Sequence, residues 1–281
     1  MWDIVFYLII AGIAYFAYGY MQGVWLQKKL DQFTAEKCPK DVVIMHGTER
    51  MPGVPSPSPF VLKLETFLRM AKIPYEYDGK LRNTFGPKGK TPWCSLNGEH
   101  VADSQLCIEY LTKKFKVNLD SNYTEKEKAF AKLLRYMFEE HMFWEFVLWL
   151  WVWGGPGIEA VLKLGAPRFL VKYLSWNYTR LAWSQGLGRH ARADVERWAY
   201  EDIHTISVVL DKNKFILGDE PCVEDAAVFG FLAQMMWGCM TTSEYAKVIK
   251  FKYPNIQAYC ERMRDRYFPD WDQICGKPKT S

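Results

Sequence analysis

The sequence predicts an α+β chain in three parts: a hydrophobic N-terminal helix, a small β-α-β-hairpin-α unit and an all-helical unit. Three observations carry this. No charged residue occurs between Ile4 and Leu26. Strand and hairpin signals then crowd residues 41–102. From Thr124 onward the pattern is helical.

The uncharged N-terminal stretch is long enough for a helix to cross roughly 30 Å of hydrocarbon. Asp3 stands where a secretory leader carries Lys or Arg, and no small-x-small cleavage site precedes Lys28-Lys29. The expectation is an uncleaved single-pass transmembrane anchor over residues 1–27. Lys28, Lys29 and Lys37 all follow it, so the positive-inside rule directs residues 28–281 to the cytosol. Sequons at Asn122 and Asn177 point to a lumen, but weakly, because unused sequons are common.

Asp41-Val-Val-Ile-Met45 is a β-branched run that reads as a strand, and the Pro-rich stretch 51–59 allows no helix before Ser58. Pro59 suits a first helical position, and Phe60, Val61, Leu64, Phe67, Leu68 and Ala71 then form an apolar stripe. Pro74-Tyr-Glu-Tyr-Asp78 alternates as a second strand. Asn97-Gly98, between two short runs, signals a hairpin. Asp103 is placed to cap a helix with Leu106, Ile108, Leu111 and Phe115 on its apolar side. Strand, helix, strand, hairpin and helix in this order make residues 41–119 a thioredoxin-like unit.

Residues 124–275 are the helical unit. Thr124-Glu-Lys-Glu127 is a capping box opening a long helix toward Trp153, which Gly154-Gly-Pro-Gly157 ends. The apolar run from Phe146 to Trp153 is too short to span a bilayer. Its tryptophans, with Trp144, are expected to form aromatic core at a subdomain interface rather than a pocket for a hydrophobic co-substrate. His141 and His190 have no partner visible in the sequence, so a surface or capping role is expected.

The 36 basic and 32 acidic residues, net +4, are mixed along the chain, which excludes the basic footprint of a nucleic-acid-binding protein. Seven scattered cysteines with no C-x-x-C pair support neither a disulfide framework nor a zinc site. Reduced thiols fit a cytosol-facing domain.

Thr91-Pro92-Trp93 looks like a loop with a cis-proline before a third strand, and Ala102-Asp103-Ser104 like an acidic-Ser pair opening the next helix. With the order of elements, these motifs resemble the glutathione-S-transferase family. More narrowly, the segments Ser58-Pro-Phe-Val-Leu-Lys-Leu-Glu-Thr-Phe-Leu-Arg-Met70, Asn97-Gly-Glu, Gln185-Gly-Leu-Gly-Arg-His190 and Gly218-Asp-Glu-Pro221 resemble its failed-axon-connections and metaxin-related branch, which includes cadmium-responsive proteins. One departure is Cys222-Val-Glu-Asp225, where transferases place Ser or Thr three residues before the Asp. A thiol accepts a backbone N–H poorly, so this cap is expected to be weaker by up to about 1 kcal/mol.

The resemblance implies glutathione as co-substrate and a site made by Ser58, Pro92, Trp93, Asp103 and Ser104. Ser58 would face the sulfur, where a helix N-terminus favours a thiolate; alternatively it is only an N-cap. Pro92, if cis, would turn the Trp93 backbone toward an extended peptide. Asp103 and Ser104 would grip the γ-glutamyl end, and they also have a plain capping role. Two functions follow. One is glutathione-dependent conjugation or reduction at a membrane-tethered site, in detoxification or a metal or xenobiotic stress response. The other is a non-catalytic, metaxin-like docking protein that binds a protein partner or a second copy.

Overall fold

A computed structural model describes residues 13, 17, 18, 20, 21, 24, 39–80, 86–163, 167–238 and 243–275. The expected anchor lies largely outside them. Among the described residues no helix is long and apolar enough to cross a membrane.

The first unit is a four-stranded sheet of order β2-β1-β3-β4, built from β1 (Val43–His46), β2 (Tyr75–Asp78), β3 (Trp93–Leu96) and β4 (Glu99–Ala102). β1 pairs parallel with β2 and antiparallel with β3, and β3 and β4 form the hairpin. Asn97 and Gly98 both adopt positive φ at its turn, the conformation that an Asn-Gly pair supplies at low cost. Period-2 alternation puts Val43, Met45, Cys94 and Leu96 on the core face.

That face is covered by α1 (Pro59–Met70) and α2 (Ser104–Phe115). Ser58 has extended backbone and its side chain accepts from the Val61 N–H, with Pro59 in the first turn as expected. The structure goes further than the apolar stripe suggested. Lys63, Glu65 and Thr66 are buried along with Leu62, Leu64, Phe67 and Leu68, so α1 is enclosed on all sides. Its second cover is α8 (Asp225–Trp237), every residue of which from Asp225 to Met236 is buried. Gly230 lets the two helices meet: a Cβ there would lie 2.7 Å from the Pro59 carbonyl oxygen and 3.1 Å from the Lys63 nitrogen. Burying each Leu or Phe in this contact contributes about 2 kcal/mol.

The helical unit is completed by α3 (Glu125–Tyr136), α4 (Phe143–Trp151), α5 (Pro156–Lys163), α6 (Arg168–Gln185), α7 (Arg192–Leu210), α9 (Glu244–Lys252), α10 (Pro254–Tyr267) and α11 (Trp271–Cys275). The Thr124 capping box is complete in both directions. The helix expected to run from it stays helical to Trp151 but changes its winding midway. A π-helical segment, Met137–Met142, interrupts it before α4.

The tryptophan-rich run packs mainly inside the helical unit. Trp149 meets Tyr245 edge-on at 4.9 Å and Trp151 stacks on Tyr178 at 5.6 Å, whereas Phe143 reaches the first unit through Phe60 at 5.1 Å.

Candidate functional site

The sheet register gathers the sequence-derived residues at one end. His46, the last residue of β1, pairs with Trp93, the first of β3, and Trp93 pairs with Ala102, the last of β4. The loop leading to Ser58, the Pro92 loop and Asp103 therefore leave the sheet from the same edge. The Thr91–Pro92 peptide is cis. The Asp103 N–H donates to the Pro92 carbonyl oxygen at 3.2 Å, tying two of these segments together.

Two helix N-termini face this end. The Asp103 carboxylate caps α2, accepting from the Gln105 N–H at 2.9 Å and the Leu106 N–H at 3.2 Å. Asp103 holds φ at 96°, a region that favours glycine, and so is fixed in a strained conformation. Asp103 is exposed whereas Ser104 is buried. At the other N-terminus, Ser58 Oγ accepts from the Val61 N–H at 3.4 Å. A hydroxyl that accepts this bond keeps its own O–H as a donor, so capping and ligand binding are compatible. The Ser58 N–H is anchored by Ser56 Oγ at 3.1 Å, and Ser56 Oγ meets Thr48 Oγ1 at 2.7 Å. Gln234, on α8, donates to the Ser56 carbonyl at 2.8 Å, so the helical unit holds this loop.

The two N-termini are linked by Lys63, whose ammonium donates to Gln105 Oε1 at 2.8 Å and to Glu139 Oε1 at 2.6 Å. Arg135 extends the chain of charges, pairing with Glu139 at 2.8 Å and Glu224 at 3.0 Å. Burial pulls the Lys63 ammonium below its usual pKa, and Glu139 partly opposes that. No pattern in the sequence distinguished Lys63 from a solvated lysine.

Trp93 is placed differently from the other expected residues. Its backbone lies inside the sheet, between His46 and Ala102. Its indole stacks on the His46 ring at 3.5 Å, on the sheet face away from α1. His46 contacts Asp78 Oδ2 at 3.1 Å and Ser95 Oγ at 2.9 Å, and Ser95 Oγ contacts His100 Nδ1 at 2.8 Å. Gly86 leaves room for this indole, since a Cβ there would fall 2.4 Å from it. Thr91, ahead of the cis bond, lies outside the strands and is half-buried.

The departure at Cys222 resolves locally. The Asp225 carboxylate accepts from the Cys222 N–H at 2.9 Å and the Ile216 N–H at 3.2 Å. Half of the usual reciprocal cap thus remains, carried by the Asp. Burial pushes the Cys222 thiol well up, so it is an inert core group.

His141 is not the unpartnered surface residue expected from sequence: its Nδ1 lies 2.8 Å from Asp202 Oδ2 on α7, 61 positions away. With Glu145 these residues form a compact cluster outside the sheet-end site.

The chain matches the family described as glutathione S-transferase N-terminal domain over residues 59–154, and that described as glutathione S-transferase, C-terminal domain over 199–263. It is 30% identical to failed axon connections of Drosophila melanogaster over 260 residues, 85% of this chain and 61% of that protein. The chain thus spans less than two thirds of that relative. It is 27% identical to the isoprene-epoxide–glutathione S-transferase of Rhodococcus sp. (strain AD45), covering 80% of this chain and 99% of the relative. With mouse metaxin-2 it shares 23% identity over 78% of this chain and 84% of the relative. Among solved structures, a glutathione transferase from Phanerochaete chrysosporium superposes with a TM-score of 0.59 at 13% identity, covering 82% of this chain and 99% of that one.

Proposed function

Because this chain belongs to the glutathione-S-transferase-like proteins, in the branch that holds failed axon connections and the metaxins, we propose that it binds glutathione at the sheet end and is a glutathione transferase in detoxification or in a metal or xenobiotic stress response. The observation that carries this reading is the convergence of two helix N-termini, capped by Ser58 and Asp103, on one register row of the sheet. Exposed N–H dipoles at such termini favour an anionic ligand. Glutathione, when bound, supplies a thiolate nucleophile for attack on an electrophile.

In this reading Ser58 donates its hydroxyl proton toward the sulfur and lowers its pKa. Asp103 and Ser104 hold the γ-glutamyl end, and Asp103 receives the cationic amine. The Pro92 loop and the Trp93 backbone contribute groups beside the cysteinyl portion. The Trp93 indole also braces the sheet end through its stack on His46. The relative from Rhodococcus, an isoprene-epoxide–glutathione S-transferase, supports a catalytic role.

Membrane attachment belongs to the same proposal. Residues 4–26 carry no charge, and α6 supports the idea independently. It has no acidic residue and presents Phe169, Tyr173, Trp176 and Trp183 to solvent beside Arg168, Lys172 and Arg180, a composition suited to an anionic bilayer surface.

The test is retention of the full-length chain on immobilised glutathione with elution by free glutathione, together with conjugation of a halonitrobenzene electrophile. Ser58→Ala should keep retention and lower kcat by tenfold or more. A metaxin-like docking role is the second reading, favoured by the metaxin relatives. Absence of retention for the wild-type chain would leave that reading in place.

A further inference from the structure

The helical unit contains a polar cluster that the glutathione reading does not use. His141 lies in the π-helical segment, Glu145 lies one turn later on α4, and Asp202 faces them from α7. His141 Nδ1 is 2.8 Å from Asp202 Oδ2 and 3.4 Å from Glu145 Oε1. One ligand atom from each of the three lies within 4.8 Å of the others. Glu145 is only 1% exposed, and neither of its carboxylate oxygens has a hydrogen-bond partner.

A buried carboxylate with both oxygens unsatisfied is costly unless something charged completes it. His141 approaches Glu145 Oε1 at 3.4 Å but gives it no hydrogen bond, its Nδ1 being engaged by Asp202. Two carboxylates converging on one imidazole are the donors that a divalent transition metal takes. The backbone here is also irregular, since π turns within helices recur at functional sites.

We propose that His141, Glu145 and Asp202 form a Zn2+ site with three protein ligands. Half-exposed His141 and nearly buried Asp202 leave its outer side open, so the fourth position is free for water or a substrate oxygen.

The proposal also gives the Gln185 to His190 motif a role. Gln185 donates to the Glu140 carbonyl at 3.1 Å, and its own side-chain oxygen accepts from the Leu187 N–H at 3.0 Å, so the motif clamps the π segment. Trp198 fills the space between, its ring 6.3 Å from that of His141 and 4.9 Å from that of His190. These contacts hold the His141 ring in position without coordinating the metal.

The experiment is calorimetric titration of chelator-treated full-length protein with ZnCl2, paired with the visible spectrum after Co2+ addition. One equivalent should bind, with ligand-field bands of low-coordinate Co2+. Glu145→Gln keeps the buried volume and should weaken Zn2+ binding about 100-fold and abolish the Co2+ bands. Asp202→Asn should do the same, and serves if the first variant does not fold. Wild-type protein should also melt at higher temperature with Zn2+, whereas Glu145→Gln should show no such shift. Failure of the wild-type chain to bind one equivalent would overturn the proposal, as would binding unchanged in both variants.

Discussion

Lys63 Nζ lies 2.6 Å from Glu139 Oε1, with the two side chains 1% and 9% exposed, across the contact between the thioredoxin-like unit and the helical unit. The pair is completed by Gln105 and Arg135, so no member is left with a bare charge. Removing one partner of such a pair costs far more than the pair contributes, because the other charge stays buried. Lys63→Ala is therefore expected to lower unfolding free energy by about 3 kcal/mol. Urea denaturation of the full-length chain checks this, and a loss under about 1 kcal/mol would mean that water reaches the network.

Gly230→Ala tests the close approach of α1 and α8. The added Cβ meets backbone atoms of Pro59 and Lys63, which cannot rotate away. The helices must separate, at a cost of about 2 kcal/mol. The variant's melting temperature should drop by several degrees, and any ligand at the Ser58 end should bind less well because Pro59 moves with the helix.

Asp225→Ala and Cys222→Ser should differ sharply. The first orphans two buried N–H groups, from Cys222 and Ile216, and should cost about 3 kcal/mol. The second offers a better acceptor at the missing half of the cap and should change stability by no more than about 1 kcal/mol. Parallel chemical denaturation of the two variants distinguishes them.

The Asp270 carboxylate provides a pH-dependent contact. Arg69 donates to Asp270 Oδ2 at 3.0 Å, joining α1 to the segment before α11, and holds that carboxyl below its ordinary value of 3.8. A depressed carboxylate stabilises the fold above its unfolded pKa, and the contribution vanishes as pH falls through the folded one. Asp270 is 34% exposed, which limits the effect to about 1 kcal/mol. Asp270→Asn should therefore destabilise the chain at pH 7, and the difference from wild type should shrink as pH is lowered below 3.8, as read from urea midpoints across that range.

What the sequence made legible was local. Ser58, Asp103 and Thr124 were readable as caps because an N-cap needs only its own side chain and the next turn. The Asn97-Gly98 turn was readable for the same reason. Buried Lys63, the Trp93 stack on His46 and the His141 cluster were not, since each depends on a residue 42 to 76 positions away or on a sheet register. The π segment left no signal either: Met137–Met142 has ordinary helical composition, and tertiary packing decides the winding. Trp93 shows what motif reasoning leaves out: the motif put it beside the cis-proline, but only the register sets its backbone between His46 and Ala102 at the end of the sheet.

The most direct test of the central claim is calorimetric titration of the full-length chain with glutathione, for the wild type and for Asp103→Asn. Asn keeps the cap and tolerates the positive φ, so only the carboxylate charge is lost. The account predicts saturable binding to the wild-type chain at sub-millimolar to millimolar glutathione. It also predicts affinity ten- to a hundredfold lower in the variant, about 1.5–3 kcal/mol for one charge-assisted contact. No heat of binding to the wild-type chain at several millimolar glutathione would contradict it.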